Sequence, residues 1–221
     1  THSDDKGLVL PPSLATTHVS IVPILSNAGA KAQVLEVSER IAEDIRREAA
    51  RAGFLYEIGV HVDTDETKQP GWKFHEIELL GVPIRIEVGP RDLEKNQAVM
   101  TRRDDGKKEF IPLGELPLRC VEGLKSLQKD LLERARKFRD ENTHQVETYA
   151  DFKKQLDEKG GFFVGAWNQG KDSEALVKQE TKATIRCLPL DATFQPKKDD
   201  RPCMITGERG NNGTAIFARS Y

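Results

Sequence analysis

The chain has 221 residues, 37% of them apolar and 32% charged. That length exceeds one average domain and the apolar share suffices for one good core or two modest ones, so two small domains are expected. A formal net charge of -2 supplies no chain-wide basic field, which confines any nucleic-acid contact to a local patch.

The opening THSDDKGLVLPP places Leu8, Val9 and Leu10 like the end of a strand whose partner lies earlier, so the sequence reads as a piece of a longer protein. Pro11 and Pro12 then begin a connector. HVSIVPIL, His18 to Leu25, is a short β-rich run. It is followed by a helix over about Gln33 to Ala52, where Val34, Val37, Ile41 and Ile45 recur at helical spacing before Gly53. Leu55 to Val62 reads as a second strand, and Pro70 starts a helix with Trp72, Phe74, Ile77 and Leu80 as its apolar side. PIRIEV, Pro83 to Val88, alternates as a half-exposed strand does. Gln97 to Arg103 and Lys107 to Pro112 then form a hairpin across Asp104-Asp105-Gly106. The fold class is α/β, a mixed five-stranded sheet with flanking helices, followed by a small α+β C-terminal domain.

Beyond Glu115 a long helix over about Leu118 to Glu141 carries Val121, Leu124, Leu127, Leu131 and Leu132 on one side and a basic end that suits its dipole. A helix over Glu147 to Glu158, a strand from Phe162 to Trp167, a helix near Asp172 to Thr181 and the strands ATIRCLPL and GTAIFARSY complete the chain. Cys120, Cys187 and Cys203 are too few and too scattered for a disulfide framework, and read as buried small hydrophobes in a reducing compartment. With no run of 18 apolar residues and no basic-then-apolar leader, the reading is a soluble, cytoplasmic chain without a membrane span.

Covalent chemistry is poorly provided for. The five histidines are scattered, no serine sits in a nucleophile elbow and no glycine loop cradles phosphate, so no catalytic residue is assigned. Glu76, Glu78 and Glu87 as an acid/base cluster yields to the plainer reading of a solvated, charge-alternating face. A different set remains: Glu78 near a helix end, Arg85 on the adjoining strand, Arg91 in a turn and Lys107 in the hairpin converge if these elements pack together. A carboxylate accepts from the N1-H and N2-amino edge of guanine while Arg or Lys donates to O6 and N7, so such a group suits an unpaired guanine. A salt-bridged surface is the competing reading, since Lys68 to Lys108 holds nine basic and seven acidic residues.

GWKFHEIELLGVPIRIEVGPRD followed by RRDDGKK closely resembles the anticodon-binding domain of prolyl-tRNA synthetase, a class II aminoacyl-tRNA synthetase. THSDDKGLVLPP resembles the segment just after motif 3 of that family, and FARSY the ending of its archaeal and eukaryotic-type form. The resemblance implies three parts: a catalytic-domain remnant and linker over 1-16, the anticodon-binding domain over 17-115 and the C-terminal domain over 116-221. It implies an ATP- and magnesium-dependent proline-tRNA ligase, homodimeric as a whole protein. The motifs that bind proline and ATP would lie upstream of Thr1, so this piece is expected to hold no cofactor and to be inactive alone. The family's anticodon contacts fall on Glu78, Arg85 and Lys107, with Arg91 where the family has a basic residue, and imply that they read the two guanines of the proline anticodon. Many relatives hold zinc on four cysteines. Here FFVGAWNQGKDSE has none and the hairpin reads Cys203-Met-Ile-Thr206-Gly207, so no metal is expected and apolar packing of Phe162, Phe163, Trp167, Ile185, Ile216 and Phe217 must hold that domain. The terminal Tyr221 is implied to be a functional tail. A stand-alone nucleic-acid or protein binding module with the same fold stays open as the alternative.

Overall fold

The computed structural model describes residues 2-25 and 28-220; the tail residue Tyr221 lies outside them. The chain divides into two compact units, Thr1–Glu133 and Arg134–Tyr221, the division falling within a long helix.

In the first unit, β1 (Ser3–Asp4) and β2 (Gly7–Leu8) pair antiparallel as a minimal hairpin. The leucine-rich run therefore finds its partner only a few residues back, with the Val9 amide donating to the His2 carbonyl at 2.7 Å. The hairpin lies on the next helix but one so closely that only glycine fits: a Cβ on Gly7 (φ +136°) would stand 2.5 Å from Leu79 Cα, and one on Gly81 (φ +71°) 2.6 Å from Leu8 Cβ.

The main sheet has the order β4-β3-β5-β6-β7, made of β3 (Val19–Pro23), β4 (Val60–Val62), β5 (Ile84–Val88), β6 (Gln97–Arg102) and β7 (Lys108–Pro112). β4, β3 and β5 run parallel, while β6 and β7 are antiparallel additions. The two-residue side-chain period sends Val19, Ile21, Ile84, Ile86, Ala98, Met100 and Ile111 to one face. There they pack under α1 (Lys31–Arg51), through Val34, Val37, Ile41 and Ile45, and under the first turns of α4 (Leu116–Glu141), through Leu116, Cys120, Val121 and Leu124. The opposite face receives α2 (Pro70–Leu79), whose Ile77 packs on Val22 and Val82. A five-residue helix, α3 (Pro90–Glu94), links β5 to β6.

Several expectations are corrected. β5 is the middle strand and α2 covers its polar side, so Arg85 and Glu87 are not half-exposed: their side chains keep 8% and 12% of their exposure. The second strand begins only at Val60, because the Gly59 carbonyl is taken by the His18 and Val19 amides and Leu55 stands fully exposed. Trp72 on α2 and Leu80 just beyond its end are exposed, while Lys73 is buried; its ammonium meets Asp63 Oδ1 at 2.9 Å and the Asp63 carbonyl at 3.0 Å. A paired ammonium can be buried where an unpaired one cannot.

The second unit is a four-stranded sheet, order β10-β11-β9-β8, built from β8 (Thr143–Gln145), β9 (Phe162–Trp167), β10 (Ala183–Cys187) and β11 (Gly213–Arg219). α5 (Tyr149–Glu158) and α6 (Lys171–Thr181) pack on it. Phe152 sits at its centre, edge-on to Phe163 at 5.5 Å and tilted against Phe217 at 5.7 Å. Phe163, Trp167 and Phe217 are buried as expected; Phe162, by contrast, is an exposed residue. Cys120 and Cys203 are buried, but Cys187 is exposed, since it follows an irregularity in the edge strand β10. Replacing Phe152 by Ala removes the shared neighbour of the Tyr149, Phe163 and Phe217 rings and is expected to cost about 3 to 5 kcal/mol. Calorimetry of this variant should show the loss in the transition of the second unit, while a chelator added to the unaltered chain should leave that transition in place.

Candidate nucleic-acid interface

The register of the sheet sets the site. Ser20 pairs with Arg85, Arg85 with Thr101 and Thr101 with Lys108, one row on the α2 face. The next row runs Val22, Glu87, Val99, Phe110. Arg85 therefore emerges from the middle strand beneath the last turn of α2. Its Nη1 donates to Glu78 Oε1 at 3.2 Å, and its Nε and Nη2 donate to Glu87 Oε1 at 3.3 and 3.1 Å. The Phe74 ring lies over the guanidinium with its centroid 4.3 Å away. Lys108 Nζ reaches Glu87 at 3.2 Å, so two cations and two carboxylates balance. The charge alternation of β5 and β7 is a partly desolvated network, where ion pairs are more strongly coupled than on a solvated face.

Beside this network a cavity of about 150 Å³ opens between the β1-β2 hairpin, the end of α2 and the β5-β6 pair, with Asp4, Glu78, Arg85, Thr101, Arg103 and Gly106 among its lining residues. Arg103 fixes one wall. Its Nε donates to the Glu78 carbonyl at 3.0 Å, and its Nη1 and Nη2 clamp the two Asp4 oxygens at 2.8 and 2.6 Å, the bidentate geometry in which arginine-carboxylate pairs are strongest. The expected residues thus divide. Glu78 and Arg85 are in contact and line the cavity. Lys107 stands one residue beyond the lining Gly106, exposed, with its ammonium 3.8 Å from Asp105. Arg91 is exposed on α3 and does not line the cavity. Lys108, Arg103 and Asp4 were not singled out from the sequence, and Phe74 was read only as part of the apolar side of its helix; the period-two pairing of Lys108 with Thr101 was the available signal for Lys108, and none existed for Asp4.

The zinc ion held by many relatives would have Cys203 as its one cysteine ligand in the hairpin Cys203 to Gly207. Burial opposes ionisation of this thiol. Hydrogen bonds from the Thr206 amide and hydroxyl and from the Ile205 and Asn168 amides outweigh burial and set its pKa below the ordinary value. The turn has the shape to hold one thiolate, but no group of three or more His, Cys, Asp or Glu side chains gathers there or elsewhere among the described residues, and a structural zinc needs four ligands. The residues present do not fit the ion. Among the same residues no helix is long and apolar enough to cross a membrane.

The mixed sheet carries helices on both faces, with the polar cleft beside α2, and residues 18-122 match the family model described as "Anticodon binding domain". Residues 149-221 match "Prolyl-tRNA synthetase, C-terminal". Along its whole length the chain is 45% identical to the proline-tRNA ligase of Rubrobacter xylanophilus, 38% to that of Christiangramia forsetii and 42% to that of Pelodictyon phaeoclathratiforme. It spans 43%, 42% and 44% of those proteins, less than half of each. Over its whole length the chain is thus similar to the C-terminal part of prolyl-tRNA synthetases.

The Asp4-Arg103 clamp has a pH signature. Hydrogen bonds from Arg103, and then from the Lys6 amide, hold the Asp4 carboxyl well below the usual carboxylate range. A depressed folded value means that its contribution is fully present above the unfolded value near ~4 and is lost as pH falls below that. Exchange protection of the Val9 amide should hold from pH 7 to about 5 and decline below about 4. Asp4→Asn should abolish that decline.

Proposed function

We propose that this chain reads the anticodon of a proline tRNA on behalf of a cytoplasmic, homodimeric proline-tRNA ligase whose proline- and ATP-binding machinery is not in this piece. The observation that carries the reading is the carboxylate of Glu78, partly exposed at the mouth of a cavity of about 150 Å³ and oriented by a buried arginine. A cavity of roughly this volume accommodates one six-membered aromatic ring, and an unpaired base is read by its edges once it leaves the stack. Glu78 accepts from the N1-H and N2-amino edge of guanine, a pattern that adenine and the pyrimidines do not offer in the same place. Arg85 spends three of the roughly five N-H donors of a guanidinium on Glu78 and Glu87. It holds the carboxylate in position and has donors left for a base oxygen. Lys107, exposed at the rim beyond Gly106, supplies a mobile cation for a phosphate, and Arg91 a second one further along the strand of RNA.

The roles differ in kind and so must the variants. Glu78→Ala should cost about 1 to 3 kcal/mol of discrimination between a proline tRNA and one with both anticodon guanines replaced. Lys107→Ala should weaken both RNAs alike and lower the salt slope by about one. Titration of the chain with the two RNAs across a salt series measures both quantities. Wild-type protein without preference between the RNAs, or Glu78→Ala with its preference intact, would count against anticodon reading and favour a salt-bridged surface.

A further inference from the structure

Thr101 stands in the middle of the cleft, between Arg85 on β5 and Lys108 on β7 in the sheet register. The residue keeps only 5% of its exposure and lines the cavity, and its hydroxyl has no hydrogen-bond partner among the described residues. A buried hydroxyl left without a partner destabilises a fold, and such groups are rare enough to call for a reason. The two arginines beside it are held by other partners: Arg85 by Glu78 and Glu87, Arg103 by Asp4 and the Glu78 carbonyl. The hydroxyl is at once a donor and an acceptor, in a cavity of about 150 Å³.

Resting on the anticodon reading above, we infer that Thr101 is a specificity-determining residue: its hydroxyl completes the hydrogen bonding of one unpaired base seated between the end of α2 and the β5-β6 pair. The hairpin β1-β2 is a wall of the same seat, because Asp4 and Lys6 line it and Asp4 is clamped by Arg103. This hairpin precedes residue 18, where the match to the anticodon-binding family begins, so the base seat is completed from outside the domain as that family defines it. Threonine here is a polar residue held ready for a ligand, at the position where a β-branched apolar side chain would serve the sheet equally well.

The decisive comparison is Thr101→Val, which keeps the β-branched shape and deletes the hydroxyl, beside Thr101→Ser, which keeps the hydroxyl. Binding of the full chain is measured with a proline tRNA and with three variants, each altered at one anticodon position. Thr101→Val should lose roughly three- to tenfold of discrimination at one position only, the loss of a neutral hydrogen bond, and Thr101→Ser should restore it. Thr101→Val should also unfold at or above the wild-type temperature, since no protein hydrogen bond is removed. If wild type discriminates and Thr101→Val discriminates equally at all three positions, the inference about Thr101 is overturned while anticodon reading stands. A uniform loss of affinity for all four RNAs overturns it as well. Absence of discrimination by wild type removes both readings together.

Discussion

A guanidinium in the middle strand of a sheet is the constraint from which the rest of the first unit follows. Arg85 sits on β5, flanked on both sides by strands and covered by α2, where an unpaired cation would be severely destabilising. The fold meets that demand with Glu87 two residues along the same strand, Glu78 from the helix above, and Phe74 across the guanidinium face. Lys108 then balances the second carboxylate. The partners come from β5 itself, from α2 and from β7, so the geometry of the network reports the packing of α2 on the sheet, and Glu78 has a fixed position because Arg85 needs it there. A recognition carboxylate fixed by structural pairing loses little side-chain freedom on binding, which favours affinity and selectivity together.

The same logic extends outward from Glu78. Its carbonyl accepts from Arg103, whose other nitrogens clamp Asp4, and two glycines with positive φ, Gly7 and Gly81, let the hairpin approach α2 without a Cβ between them. The cleft is thus walled by a segment far away in sequence through contacts that are polar at one end and glycine-permitted at the other. On the opposite face the sheet meets α1 and α4 mainly through apolar side chains, with Arg102 of β6 bonded to Ser126 and Asp130 on α4 and Arg46 of α1 to the Val60 carbonyl at the margins. One face stores stability and the other presents chemistry, a division that the two-residue period of β3, β5 and β6 makes possible.

Much of this was legible beforehand. Val34, Val37, Ile41 and Ile45 announced α1, the Asp104-Asp105-Gly106 turn announced the β6-β7 hairpin, and the order of elements gave the mixed five-stranded sheet. Pairings between distant residues were not legible. Lys73 reads as a surface residue until Asp63 is seen beside it, Glu87 reads as solvated until β5 is seen to be central, and Asp4 carries no local signal of its bond to Arg103. Short polar elements failed for another reason: β8 and α3 have three and five residues, too few for a periodicity to declare itself. In the candidate site Glu78 and Arg85 were readable together because four residues of loop join α2 to β5. The contribution of Thr101 depends on register across two strand pairs, which a single sequence does not fix.

The central claim is that the α2 face of the sheet, around Arg85, is where RNA binds, and a footprint tests it most directly. Hydrogen exchange of the chain should be compared with and without a short RNA hairpin carrying the proline anticodon loop. Protection is predicted at the end of α2, along β5 and β6 and through the turn from Asp104 to Lys108, with α1 and its side of the sheet unchanged. Protection centred on α1, or none on either face at RNA concentrations that saturate binding, would contradict the account.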